Sequence, residues 1–407
     1  MATVIKTTCC VTGGGPAGMM LGFLLARAGV PVVVLEKHAD FLRDFRGDTI
    51  HPSTLELMHE LGLLDEFLKL PHSRVDHLAG QIGDTRVTIA DFSHLPTRCR
   101  FVAFMPQWDF LDFLSAQGKR YPKFDLRMRA QATGLIEEGG RIAGVRATTP
   151  EGDLEIRADL TVACDGRHST LREAAGFKVD SIGAPMDILW FRLSRRPDDI
   201  AETFGHIEAG RMLVMLDRGE HWQCAYVIPK GGFDTVQGLG LEAFRETVAE
   251  MSPFVRDRVG EIAGWDDVKL LTVAVDRLPR WYKNGLLCIG DAAHAMSPVG
   301  GVGVNLAIQD AVAAANILWK PLRDGAMTEA TLHDVQHRRE FPARVTQRLQ
   351  VFIQNNVITS VLSSTERPKP PFGVKLLGWF PALRRIPARI IGMGVRPEHV
   401  RTPEAKA

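Results

Sequence analysis

The chain has 407 residues, 45% of them apolar and 24% charged, a composition too apolar for disorder and a length too great for one ordinary core. Its 49 basic side chains balance 48 acidic ones, so no whole-molecule field points to a nucleic acid or other polyanion as partner. Six cysteines (Cys9, Cys10, Cys99, Cys164, Cys224, Cys288) are scattered, mostly in apolar runs, with no CxxC pair and no metal-ligand spacing, as expected of free thiols in a reducing compartment.

The chain enters the strand-like run "VIKTTCCV" at once, which leaves no room for a signal sequence. No window approaches the ~18 consecutive apolar residues of a membrane span. A cytoplasmic protein is expected. Val4 to Val11 reads as a strand, Gly13 to Gly15 as a tight turn, Pro16 to Ala28 as a helix and Pro31 to Glu36 as a second strand. Together they form a right-handed βαβ unit. Helical stretches follow at Ser53 to Lys69 and Gln107 to Gln117, and "LTVACDG" has the continuous apolarity of a buried parallel strand.

From about Pro185 the pattern changes. "MDILWFRLS", "MLVMLDRG", "WQCAYVIP" and "VKLLTVAV" are short, β-branched and aromatic runs between turn residues, as in an antiparallel sheet with one covered face. Trp190, Phe191, Leu213, Met215 and Trp222 are its candidate pocket lining, with Leu213 and Met215 on one face. At "NGLLCIGDAAHAMSPVGGVGVNLAIQDAVAAANIL" the strand, glycine-rich turn and helix return. From about Leu332 the chain reads as helical, with Val345, Leu349, Phe352, Ile353 and Val357 close to one face.

The expected fold class is therefore α/β: a discontinuous Rossmann-like nucleotide domain, an inserted mainly antiparallel β substrate domain, and a helical C-terminal region. The nucleotide domain takes residues 1–72, 105–182 and 279–330, the substrate domain 73–104 and 183–278, and the C-terminal cover 331–407.

Gly13, Gly15 and Gly18 fit G-x-G-x-x-G. The first permits the turn, the second lets a pyrophosphate approach the backbone, and the third lets helix and strand pack closely. The helix N-terminus, opening with Pro16 and Ala17, favours negative charge. Glu36, followed by Lys37, ends the second strand 18 residues after Gly18, where a carboxylate accepts hydrogen bonds from a ribose. A second glycine-rich turn, Gly300 to Gly303, follows Asp291 late in the chain. Two such cradles far apart in sequence suit a long, permanently held cofactor.

These motifs, "GGGPAG" with Glu36, "CDGRHSTLR" and "GDAAHAMSP" in that order, resemble the FAD-dependent aromatic hydroxylases, the class A flavoprotein monooxygenases, over essentially the whole length. The resemblance implies FAD as cofactor, NAD(P)H as transient reductant and O2 as co-substrate, with hydroxylation of an aromatic or similarly unsaturated small molecule through a flavin hydroperoxide. It implies that Gly13, Gly15, Pro16, Ala17 and Gly18 cradle the pyrophosphate, that Glu36 and Lys37 lie at the adenosine ribose, and that Asp291 binds the ribityl or phosphate part. Arg46, in "FRGDTIHPSTLEL", matches an arginine reaching back to the cofactor, although Gly47 stands where alanine is usual. Gln107 matches a ribityl contact. Asp165, with Arg172 closing its motif, matches a residue serving both FAD and the nicotinamide. Gly301, Gly303, Val304 and Asn305 would flank the flavin's pyrimidine edge, and Pro298 lies beside it.

A phenol reacts faster when ionised, and His51 and His294 are the histidines near the ring by motif position. No triad or metal is required. Two other readings share the fold: an FAD-dependent reductase or a hydroxylase of lipophilic quinone precursors. A non-catalytic binder of flavin or an aromatic ligand is the reading of another class. The halogenase signature W-x-W-x-I-P is absent, the nearest stretch being "HWQCAYVIP". The tail from Arg367 to Pro397 carries seven basic residues and no acid. It is expected to cover the flavin domain, with contact to an anionic membrane surface as the alternative. The assembly expected is a monomer or homodimer.

Overall fold

The computed structural model describes residues 3–42, 49–200 and 204–405. Its largest sheet is built on strand Thr3–Thr12, whose last four residues are fully buried. That strand pairs in parallel with Val32–Leu35 on one side and Gly152–Ala163 on the other. Phe124–Arg127 extends the sheet beyond the first, and Leu286–Cys288 with Tyr282–Lys283 beyond the second. Strands buried on both faces must be apolar throughout, which is why "CCV", "VVVL" and "LTVA" are legible as core strands.

Helix Pro16–Arg27 buries ten of its twelve residues between this sheet and helix Gly303–Arg323. By length and composition Val299–Arg323 would cross a bilayer, yet 67% of its most apolar window is buried inside the fold. It is a core helix.

A second sheet has seven strands, in the order Lys269–Leu271, Met186–Ser194, His221–Pro229, Arg211–Asp217, Phe204–Glu208, His77–Ile82 and Thr85–Asp91. All neighbours run antiparallel except Phe204–Glu208 and His77–Ile82, which are parallel. Mixed α/β architecture is thus what the chain adopts. Successive strand residues face opposite sides, and the two faces of this sheet have different fates. Phe191, Leu213, Met215 and Trp222 are buried in a core closed by helix Leu241–Met251. Leu213 and Met215 do share a face, but it is the covered one, so these four are corrected from pocket lining to core. Trp190, Met212, Val214 and Leu216 face a large cavity.

The C-terminal region departs from expectation twice. Of the expected Val345, Leu349, Phe352, Ile353 and Val357 face, Leu349 and Phe352 are exposed, while Ile353 and Val357 line the large cavity. The buried face of helix Glu329–Ile353 holds Leu332, Val335, Pro342 and Ala343 together with Gln336, Arg339, Gln347 and Gln350, continued by Gln354; its glutamines meet backbone peptide groups, which require polar partners. Helices Phe372–Trp379 and Arg385–Met393 pack on Thr85–Asp91, covering an edge strand of the seven-stranded sheet; of the expected flavin domain they touch the 51–60 segment, through Arg385–Met393.

Candidate active site

The turn after Thr3–Thr12 shows a division of labour among its glycines. Gly13 has φ +97°, and a Cβ there would lie 2.4 Å from the Cys164 carbonyl oxygen; one at Gly18 would lie 2.0 Å from the Gly13 oxygen. Both are closed by protein. A Cβ on Gly15 would meet nothing within 4 Å. That open space at a helix N-terminus, with Pro16 at the first helical position, is where an anion can reach the backbone. Glu36 is buried, and its carboxylate accepts from the Gly14 and His38 N–H groups, each at 2.9 Å.

Gly13, Gly15, Pro16, Ala17, Glu36, Lys37, Gln107, Asp165, Asp291, Pro298, Gly301, Gly303 and Val304 line one continuous cavity of about 1030 Å³. Gln107 enters from the first turn of helix Gln107–Gly118. Asp165 receives the Leu171 N–H on Oδ2 at 3.2 Å, while its buried Oδ1 has no partner among the described residues. Burial pushes this carboxyl up, against hydrogen bonds from Ser169 and the Leu171 N–H that pull it down. Arg172 does not line the cavity. It is buried and donates to the Ala292 and Arg167 carbonyls at 3.2 and 2.5 Å, tying the two aspartate-bearing loops together.

The late turn is held in left-handed conformations at Gly300 and Gly301, φ +79° and +62°, and Thr49 Oγ1 donates to the Gly301 carbonyl at 2.9 Å. Three expectations change here. Asn305 does not line the cavity: its Oδ1 accepts from the His51 N–H and the Thr54 hydroxyl (2.9 and 2.7 Å), and its Nδ2 donates to the Thr49 carbonyl (2.9 Å). Both ends of its amide are used in anchoring the helix start to the 49–54 segment. His294 is also away from the cavity, with Nε2 2.6 Å from Asp310 Oδ2. His51 does line it, but Nδ1 lies 2.7 Å from the Ile391 carbonyl and burial lowers its pKa to about 4, which makes a weak base. Arg46 lies outside the described residues.

The other half of the cavity is apolar. It is walled by Leu78, Ile188, Met212, Val214, Ala225 and Leu271 of the seven-stranded sheet, and closed by Ile353, Val357, Ile358 and Val361. One polar group stands out among them. Arg218 donates from Nε to Gln223 Oε1 at 2.9 Å and stacks 5.2 Å from the Phe104 ring centre. Neither Arg218 nor Gln223 carried a motif that could have marked it, since each acquires its place only through strand pairing.

A family model for the FAD binding domain matches residues 6–349. The chain belongs to the FAD-dependent aromatic hydroxylase family. This hydroxylase is 32% identical over 388 residues to 6-methylpretetramide 4-monooxygenase of Streptomyces rimosus, covering 94% of this chain and 92% of that one. It is 28% identical over 341 residues to a rifampicin monooxygenase of Streptomyces venezuelae, covering 82% of this chain and 67% of that relative. Among solved structures, the anhydrotetracycline hydroxylase OxyS of Streptomyces rimosus shares the fold, with TM-score 0.75 at 23% identity over 97% of this chain and 77% of that one. The hydroxylase is thus an FAD-dependent monooxygenase of aromatic compounds, with O2 as oxygen source and NAD(P)H the reductant typical of its family. The open face of Gly15 and the unpartnered Asp165 Oδ1 fit such a cofactor.

Proposed function

We propose that this hydroxylase oxidises a planar, multi-ring phenol laid against the seven-stranded sheet. The observation that carries the reading is the extent of the apolar lining. It draws on all seven strands, from Leu271 to Ile89, which at roughly 4.8 Å per strand spans about 29 Å, several times the width of one ring. Relatives named for 6-methylpretetramide, anhydrotetracycline and rifampicin support a large substrate. Arg218, held by Gln223 and stacked on Phe104, brings a polar group to this otherwise apolar wall.

In this reading Gly13, Gly15, Pro16 and Ala17 receive the FAD pyrophosphate, Glu36 and Lys37 the adenosine ribose, and Gln107, Asp165 and Asp291 the ribityl region. The Pro298 turn with Gly301, Gly303 and Val304 meets the ring, where the helix N-terminus favours negative charge. FAD, when bound, supplies the redox chemistry that makes O2 an oxygen donor. The chain's own work is to orient the substrate and exclude water. The three-part flavin domain (1–72, 105–182, 279–330) and the substrate domain (73–104, 183–278) belong to the same reading, as do a cytoplasmic location and a monomer or homodimer. The joining of His77–Ile82 and Thr85–Asp91 to the 186–271 strands in one sheet supports the division.

The test is FAD-loaded protein with NADH or NADPH and a panel of one-, two-, three- and four-ring phenols, measuring oxygen uptake and ¹⁸O in the product. Three- and four-ring phenols should show the highest kcat/KM. Preference for one-ring phenols would refute the reading.

A second reading concerns the tail. Phe372, Trp379, Phe380 and Ile386 are exposed beside Lys375, Arg385 and Arg389, the pairing of aromatics and cations that suits an anionic bilayer surface. Co-sedimentation with phosphatidylserine vesicles at low salt, lost in Lys375→Glu/Arg389→Glu, is expected. Failure to sediment removes it.

A further inference from the structure

A helix that turns glutamines inward needs a reason, since burying an unpaired amide is costly. On Glu329–Ile353 and its continuation the buried positions include, beside Leu332, Val335 and Pro342, a row at 336, 339, 343, 347, 350 and 354, spaced three or four apart and so on one face. Arg339 pairs with Asp310 and Glu398, while the glutamines face backbone groups of the 276–299 stretch. Gln347 Nε2 donates to the Asp276 and Ala295 carbonyls at 2.7 and 3.1 Å. Gln350 Oε1 accepts from the Ser297 N–H at 3.2 Å, and its Nε2 donates to the Ser297 and Val299 carbonyls at 2.8 and 2.9 Å. Gln354 Nε2 donates to Ser297 Oγ at 2.5 Å, and the same Oγ accepts from the Val299 N–H at 3.2 Å.

Ser297 is therefore held at its N–H, its carbonyl and its hydroxyl by two glutamines that are, like it, almost wholly buried. It is the residue before Pro298, and Pro298 to Gly301 form the cavity wall. Directly after Ile353 the helix widens into a π segment, Gln354–Ile358, a distortion found often at functional sites. Its last residue, Ile358, packs with Val299 and with Met186 and Val227 of the seven-stranded sheet. The turn is gripped by amides from one side and by an apolar contact shared with the substrate sheet from the other.

We infer that Gln350 and Gln354 are positioning residues for the reaction: by clamping Ser297 they set the Pro298–Gly301 turn against the flavin. The inference rests on the reading that the FAD ring meets this turn, and not on the size of the substrate. Gln336 provides the matched control. It is buried on the same stripe but binds the Trp281 N–H and the Pro279 carbonyl, both at 2.9 Å, away from the turn.

The experiment compares Gln350→Met and Gln336→Met in the FAD-loaded full chain without substrate, reading the flavin absorbance and fluorescence, the FAD Kd, the midpoint potential and the rate of NADPH oxidation. Both variants should melt at lower temperature. Of the two, Gln350→Met alone should shift the flavin spectrum and potential and raise the FAD Kd by about tenfold, the net worth of about one of the three hydrogen bonds it loses. Ser297→Ala, which removes only the Gln354 contact and its Val299 partner, should move the same readouts less and covers the case in which Gln350→Met fails to fold. Equal, spectrally silent behaviour of Gln350→Met and Gln336→Met overturns the clamp. Gly301→Ala disturbs the turn itself, because its Cβ would lie 2.7 Å from Thr49 Oγ1. If it moves the flavin spectrum while Gln350→Met does not, the clamp alone is wrong. If neither does, the placement of the ring falls and the clamp with it.

Discussion

His294 Nε2 lies 2.6 Å from Asp310 Oδ2, joining the GDAAH loop to the core of helix Gly303–Arg323. The other carboxylate oxygen of Asp310 takes Arg339 Nε at 2.9 Å, Arg339 reaches Glu398 at 3.3 Å, and all four side chains are almost fully buried. Breaking one member leaves uncompensated charge in the interior. Asp310→Asn should cost about 3–5 kcal/mol in urea unfolding. Burial alone would raise the Asp310 pKa, but His294 and Arg339 outweigh it and hold the carboxyl below its ordinary value. Its contribution is then complete above the ordinary carboxylate range and is lost as pH falls through the depressed value. The stability gap between wild type and Asp310→Asn should narrow only in acid.

Gly15 and Gly18 should respond oppositely to the same methyl group. Gly15→Ala meets open space, so the apoprotein should melt within about 2 °C of wild type while FAD affinity falls at least about tenfold. Gly18→Ala would press on the Gly13 carbonyl at 2.0 Å and should destabilise the apoprotein itself, by an overpacking cost of about 1–3 kcal/mol. Thermal melts and flavin titration of the two variants check this pair.

His51 is held neutral because burial disfavours its charge, which lowers its pKa to about 4, against a smaller opposing effect of the Ile391 carbonyl. A depressed folded value means that the neutral ring stabilises the fold fully above its unfolded pKa of about 6.5, and that this is lost as pH falls toward 4. The loss amounts to about 3 kcal/mol. His51→Gln should flatten the pH dependence of stability between 6.5 and 4. In the wild type, no inflection of kcat/KM near pH 6.5 should trace to this residue.

Val214 and Leu213 are neighbours on one strand with opposite surroundings, the first lining the cavity and the second fully buried in the core under Leu241–Met251. Val214→Trp should leave the melting temperature nearly unchanged and lower kcat/KM for three- and four-ring phenols by about tenfold or more, with less effect on one-ring compounds. Leu213→Trp should destabilise by about 1–3 kcal/mol or prevent folding. Melting curves and steady-state kinetics across the phenol panel distinguish the two faces.

The residues by themselves determined the local pieces whose patterns leave no choice. The glycine turn and its helix, the continuous apolarity of Thr3–Thr12 and Gly152–Ala163, and the ordered motifs around Glu36, Asp165 and Asp291 were legible because each is written in contiguous sequence. Three matters were decided only when the elements met. Which face of Arg211–Asp217 lines the cavity depends on where helix Leu241–Met251 docks, because alternation sorts residues into two sets without saying which set is covered. The buried glutamine row is not legible in the sequence because hydrophobic periodicity marks faces that pack on side chains, whereas these positions meet backbone and answer it with amides. The loss of Asn305 and His294 from the cavity has the same origin. A motif places a residue near a site, but its side chain turns to whichever polar partner the tertiary structure brings within hydrogen-bond reach, here Thr49, His51 and Thr54 for the one and Asp310 for the other.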